Sequence, residues 1–275
     1  MSPTSRPADT APLPEPSVWG GLLVQRRVVG ALLIRELLTR YGRHNIGFLW
    51  LFIEPMIFTL MITLLWSFVR KAGVDSNISI VAFAITGYSA VMMWRGMPSR
   101  CIGAIAPNLA LLFHRPVKVI DVYVARLLLE MLGATASFVV LSLAAIAAGF
   151  MTWPEDVLKV AAGWAMLAWF GFSLAILIGP LSEKFALVEK VWRPISYILF
   201  PLSGTAFVVD ALPPAAQDVI LLLPMVHGLE LLRDGFFGSA FHAIYDLGYM
   251  ATICLGMTLV GLSLVREIER KGVGH

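Results

Sequence analysis

Six continuous apolar stretches constrain this chain more than any other feature. They cover roughly residues 47–69, 78–94, 122–150, 158–180, 191–209 and 244–265. A helix rises about 1.5 Å per residue, so about 20 apolar residues cross about 30 Å of hydrocarbon. A spanning backbone must satisfy its own hydrogen bonds, which leaves helices or a closed barrel. A barrel would show alternating segments of about ten residues; these runs are unbroken. The expected fold is an all-α integral membrane protein with six transmembrane helices. Composition agrees: 58% of residues are hydrophobic, 14% are charged, and the mean hydropathy is +0.80. Soluble domains average about 45–50% apolar and about 25% charged. A soluble enzyme is excluded on this ground, and so is disorder for most of the chain.

Lys and Arg set the orientation. Arg6, Arg26, Arg27, Arg35, Arg40 and Arg43 precede the first stretch. Arg95, Arg100, Arg115 and Lys118 lie in the second connection, Lys184, Lys190 and Arg193 in the fourth, and Arg266, Arg270 and Lys271 in the tail. These sixteen face four on the other side: Arg70, Lys71, Lys159 and Arg233. Both termini are therefore expected in the cytoplasm. The net charge of +3 reads as basic loops against an anionic leaflet, with no nucleic-acid partner. Cys101 and Cys254 have no metal or disulfide spacing and are expected to be free thiols.

Three further segments stand apart from the spans. Residues 1–25 are expected to form a disordered, Pro-rich cytoplasmic tail without signal-peptide character. Residues 26–46 are expected to form an amphipathic interfacial helix before the six-helix transmembrane domain, 47–275. On a helical projection Leu33, Ile34, Leu37, Leu38 and Tyr41 share one arc, and Arg35, Glu36, Thr39, Arg40 and Arg43 the other. The basic arc should face water at the cytoplasmic interface, as an anchor and as an entrance for an anionic group. The connection 95–121 carries Pro98, Pro107 and Pro116 around an apolar run from Leu109 to Phe113. It is long enough for short helices, one capped by Asn108, and its apolar residues suit docking of a soluble partner. Residues 210–243, interrupted by Pro213, Pro214 and Pro224, suggest short helices re-entering the outer leaflet before the last span. Such a pair would act as an external gate, with His227, Glu230 and Arg233 on its second helix.

Charges inside spans are costly and face protein interior. Glu54 precedes Pro55, and Arg126 and Glu130 stand one turn apart on one helix face, where they can pair. All three lie near the cytoplasmic ends, away from the midplane where a coupling-ion site would sit. The chain contains no G-x-x-x-x-G-K-[ST], HExxH, CxxC or G-x-S-x-G. It carries no nucleotide site of its own, no metal is expected, and no catalytic residues are assigned.

Several strings resemble a known family. These are Ile34-Arg35-Glu36, Thr39-Arg40-Tyr41-Gly42-Arg43, Gly47-Phe48-Leu49-Trp50 and Glu54-Pro55; then Ile102-Gly103-Ala104-Ile105, Arg115-Pro116-Val117-Lys118, Asp121 and Ala125-Arg126 with Glu130; and finally the block from Pro224 to Arg233. In order and spacing they resemble the membrane (permease) subunits of ABC transporters that export bacterial capsular polysaccharide. The resemblance implies a multi-pass inner-membrane homodimer with two copies of a separate ATPase, which would bind ATP and Mg. The cargo would be a lipid-linked anionic polysaccharide, passed on to a periplasmic adaptor and an outer-membrane channel. Coupling to the ATPase would run through the 95–121 connection, with Asn108, Phe113, His114, Arg115 and Lys118. Arg35, Arg40, Arg43, His44 and Trp50 are expected at the substrate entrance. Trp66, Tyr88, Trp94, Trp164, Trp169 and Phe200 are candidate channel-lining aromatics, since sugars stack on aromatic faces. O-antigen, teichoic acid or drug cargo would keep this architecture. An ion-coupled secondary transporter would instead require internal symmetry and a midplane charge.

Overall fold

A computed structural model describes residues 18–42, 45–69, 78–112 and 117–271, and among them every regular element is helical. The elements are α1 (Val18–Tyr41), α2 (Asn45–Val69), α3 (Ile80–Cys101), α4 (Leu109–Leu112), α5 (Val119–Ala147), α6 (Val157–Lys184), α7 (Ala186–Phe200), α8 (Pro214–Ile220), α9 (Pro224–Phe237) and α10 (Leu247–Lys271). Among the described residues α3, α5, α6 and α10 are long and apolar enough to cross a membrane. The pair α8–α9, bent by 107°, adds a fifth if taken as one broken span. The chain is a multi-pass helical membrane protein.

Two expected spans are shorter than anticipated. α7 has 15 residues, about 22 Å at the helical rise. The expected run 191–209 is interrupted after Phe200 by Pro201 and by Gly204 at φ +82, a left-handed conformation that glycine adopts without strain. Within α2 the apolar segment is Phe52–Phe68, below the spanning length. In the other direction, α3 continues seven residues beyond the expected boundary at 94. Pro98 is accommodated in its last turns, so Arg95, Ser99 and Arg100 are helical rather than part of a connection.

The helix ends follow local chemistry. Asp156 caps α6 by accepting from the Leu158 and Lys159 amides at 2.9 and 3.0 Å. Asp121 closes the start of α5 by accepting from the Lys118 amide at 2.9 Å. Pro224 opens α9 at a position whose N–H would have no helical partner, and Gly238 at φ +51 follows its end.

α6 lies at the centre, packed against α3, α9 and α10. Glycine allows this closeness: a Cβ on Gly163 would sit 2.6 Å from the Leu232 amide nitrogen, and one on Gly171 would sit 2.8 Å from Trp94 Cα. The resulting core includes Trp94, Met97, Leu127, Leu167, Phe170 and Leu232. Trp94 is 1% exposed and makes an edge contact with Phe170 at 5.5 Å. It fills the core, which corrects its expected place on a channel wall. Cys101 and Cys254 are free and buried, as the spacing suggested.

α1 packs on α5 and α2. It begins at Val18, so residues 18–25 of the expected tail are helical; residues 1–17 lie outside the described residues. Its polarity departs from the expected arrangement in part: Arg35 and Thr39 are exposed and Leu33 and Leu37 half-buried, but two members of each arc change places. Ile34 and Leu38 are 58% and 47% exposed, whereas the Glu36 and Arg40 side chains are only 14% and 15% exposed. Acid–base partners on α5 draw Glu36 and Arg40 inward and leave part of the apolar arc to the surroundings. The remaining apolar contact with α5 runs through Leu32 to Val122 and Ala125.

Candidate functional site

At the end of the bundle that holds α1, charges from three helices interlock. Arg40 on α1 is 3.2 Å from Glu36 Oε1 and 3.3 Å from Glu130 Oε2. Glu130 on α5 also accepts from Arg100 Nε of α3 at 2.8 Å. Arg126 Nε lies 3.1 Å from Glu36 Oε1, and its Nη1 donates to the Arg100 carbonyl at 2.9 Å. The expected Arg126–Glu130 partnership is thus replaced by three pairs between helices, Arg126 with Glu36 and Glu130 with both Arg40 and Arg100. Gly96 makes room for this: a Cβ there would stand 2.7 Å from Glu130 Oε1. The lattice contains three guanidinium groups and two carboxylates, so it retains positive charge. Arg35 donates to Asn108 Oδ1 at 2.5 Å, and Asn108 donates to the Ala104 carbonyl at 2.8 Å. Asn108 ties the connection to α1 and braces it internally, instead of capping a helix with its side chain. A further tie joins Gln25 to Asp121.

Beside the lattice a cleft of about 590 Å³ opens between α2, α3, α5 and α7. Glu54 and Phe58 line it from α2, Arg95, Ser99 and Arg100 from α3, Glu130 from α5, and Arg193 and Tyr197 from α7. Arg95 Cζ is 4.4 Å from the Tyr197 ring centre and 5.6 Å from that of Phe200. Tyr197 is 69% exposed. Arg95, Arg193 and Tyr197 were absent from the expected site. In the sequence Arg95 and Arg193 read only as topology signals, Arg95 because the connection with Pro98 is expected to start there, whereas the structure places both on helices. The spacing of Arg193 and Tyr197, one turn apart, was the available signal.

The other expected site residues separate into groups. Arg43, His44, Phe113, His114 and Arg115 lie outside the described residues. Trp50 is 52% exposed and does not line the cleft. Phe58, Tyr88 and Phe200 form one aromatic cluster, with ring centres 5.7 to 6.4 Å apart. Trp66 joins it by donating to the Tyr88 hydroxyl at 2.9 Å. Trp164 stacks on Phe138 at 4.5 Å and donates to Thr135, and Trp169 donates to Thr258 at 3.3 Å. These last two therefore knit α6 to α5 and α10. Lys118 contributes its backbone amide to the start of α5.

His227, Glu230 and Arg233 are all buried in α9. Arg233 donates to the carbonyls of Gly204, Thr205 and Phe207 at 2.7, 3.0 and 3.2 Å, and its Cζ lies 3.6 Å above the Phe83 ring. Glu230 accepts from the Ile244 amide at 3.1 Å. His227 Nδ1 accepts from the Asp246 amide at 2.9 Å, so its Nε2 carries the hydrogen toward the Leu221 carbonyl, 2.8 Å away. The three hold the bent pair to its flanking turns. Among the described residues no group of three or more His, Cys, Asp or Glu is placed to hold a metal.

Residues 27–237 match the family described as ABC-2 type transporter. The chain belongs to that family. As an ABC-2 transporter membrane subunit it has no nucleotide-binding site, and ATP hydrolysis resides in a partner ATPase. Curated relatives of this ABC-2 subunit include the capsule polysaccharide export inner-membrane protein CtrC of Neisseria meningitidis serogroup B, 44% identical over 94% of this chain and 96% of that protein. The capsule polysaccharide export inner-membrane protein BexB of Haemophilus influenzae is 40% identical over 90% of this chain and 94% of its own length. The polysialic acid transport protein KpsM of Escherichia coli is 28% identical over 90% of this chain and 96% of its own.

Proposed function

We propose that this chain is the membrane component of an ATP-driven exporter that carries capsular polysaccharide across the bacterial inner membrane. The identity of 44% to CtrC, sustained over nearly the full length of both chains, carries this reading. The finer picture is a homodimer with two ATPase subunits, six membrane passes with α2 and α7 completing the set, and both termini in the cytoplasm. A single narrow bundle cannot enclose a polymer, which supports a symmetric pair. The bias of sixteen basic residues to four supports the orientation. In this picture the 95–121 connection meets the ATPase, α8–α9 closes the periplasmic side, the cargo is lipid-linked and anionic, and an adaptor and outer-membrane channel receive it.

Co-expression with the cognate ATPase and purification in lipid nanodiscs tests the reading. A stable complex is expected, with ATP hydrolysis that loses its dependence on the membrane subunit when Arg115 and Lys118 are both reversed to Glu. A chain that captures no ATPase and moves solute under an ion gradient alone would overturn it.

A further inference from the structure

Two charged groups in the cleft have no charged partner among the described residues. Arg95 forms no ion pair, and its buried Nε finds no hydrogen-bond acceptor. Glu54 lines the same cleft from α2 and forms no ion pair either. The remaining charges there are engaged: Arg100 with Glu130 at 2.8 Å, and Arg193 with Glu189 at 3.3 Å. A guanidinium and a carboxylate that share one cavity without pairing keep their donors and acceptors for a guest.

The residues define the guest. A guanidinium offers planar N–H donors suited to a carboxylate or phosphate. A carboxylate accepts hydrogens from hydroxyls. Tyr197 and Phe58, 69% and 36% exposed, offer aromatic faces to the C–H groups of a sugar ring. A simple oxyanion uses only the first feature and a neutral sugar only the other two. The volume of about 590 Å³ lies within the usual range of about 300–1,000 Å³ for small-molecule sites. We propose that this cleft binds an acidic sugar unit, with Arg95 holding its carboxylate or phosphate, Glu54 its hydroxyls, and Tyr197 its ring. This deepens the exporter reading and rests on it for the identity of the cargo. It also moves anion recognition away from Arg35 and Arg40, whose guanidinium groups are bound to Asn108, Glu36 and Glu130.

The test uses the full chain with its ATPase in nanodiscs and three probes: an α2,8-linked sialic acid tetramer, maltotetraose, and inorganic phosphate. The acidic tetramer should bind at least tenfold more tightly than either maltotetraose or phosphate. Arg95→Gln should erase that preference, weakening the tetramer about tenfold while leaving maltotetraose within twofold. Arg95→Lys should recover part of it, and Glu54→Gln should weaken both glycans. Equal loss of both glycans in Arg95→Gln, or unchanged tetramer binding, would overturn the assignment. Phosphate binding as tightly as the tetramer would overturn the sugar component and leave a plain anion site. Thermal unfolding midpoints of the variants within about 2 °C of the parent separate lost binding from lost folding. In cells lacking the native subunit, failure of the unmodified chain to restore surface glycan would refute the exporter reading. Full restoration by Arg95→Gln alongside the unmodified chain would refute the Arg95 assignment alone.

Discussion

Replacing Arg233 with Met tests how far one buried guanidinium holds the bent helix pair in place. Met nearly matches the length of the Arg side chain but removes all its donors. Arg233 is 0% exposed and donates to three carbonyls in the turn after α7. Hydrogen bonds involving a charged group contribute about 1.5–3 kcal/mol each. Three at the lower figure give about 4.5 kcal/mol, and the loss of the cation over Phe83 adds about 1–2 kcal/mol. Relief from burying a charge offsets part of this, and removal of one member of a buried charged set typically costs about 3–5 kcal/mol. We expect a net loss of about 3 kcal/mol. For a chain of this size that lowers the melting midpoint by about 6–12 °C, read by tryptophan fluorescence or scanning fluorimetry in nanodiscs. Arg233→Lys should fall between Met and the parent, since one ammonium cannot reach all three carbonyls. A Met variant that melts within about 2 °C of the parent would refute the reasoning and make the contact incidental.

Three other outcomes follow from the packing and charge. Gly163→Ala should destabilise by about 1–3 kcal/mol, because its Cβ would meet the α9 backbone at Leu232; Gly256→Ala, with nothing within 4 Å, should be neutral or stabilising, and the two melting midpoints check the contrast. Glu130→Gln removes the charge that gathers Arg40 and Arg100, so amide hydrogen exchange across α1 should accelerate while that of α10 stays unchanged. Bonds from Lys184 and Lys271 hold the Glu267 carboxyl down at about 2, from an ordinary value of 4.5, at a position beyond the expected last span. Because the folded-state value is the lower one, the pair's contribution is present above about pH 4.5 and fades as pH falls toward 2. The melting difference between the parent and Glu267→Gln should close across that window and stay constant from pH 5 to 7.

The long apolar runs made most of this fold legible. Continuous hydropathy marks α3, α5, α6 and α10 because the membrane solvent imposes one pattern on every span. The prolines around 213 and 224 likewise announced the bent pair. What escaped the reading depended on neighbours. Pro98 reads as a breaker along the chain, yet it sits in a helix whose packing against α6 keeps it regular. The polar arc of α1 reads as a wet face until Arg126 and Glu130 on α5 are known to stand opposite. Trp94 and Tyr197 are both aromatic residues near span ends; only the tertiary arrangement buries one at 1% and leaves the other 69% exposed. Along the sequence Arg95 reads as a topology signal, and nothing local separates a loop arginine from one that lines a cleft.

Asn108 bears on how force would pass through the molecule. Its amide group grips Arg35 of α1 on one side and the Ala104 carbonyl on the other, and a few residues away Arg126 of α5 holds the carbonyl of Arg100. Residues 102–108, which follow α3, are therefore not a slack tether. A displacement of residues 104–108 toward or away from the bundle either ruptures charge-assisted bonds or drags α1 with it. Through Arg40 and Glu130, the same displacement is shared with α5. The lever's short arm is one asparagine, and its long arm is a helix of 24 residues, about 36 Å in length.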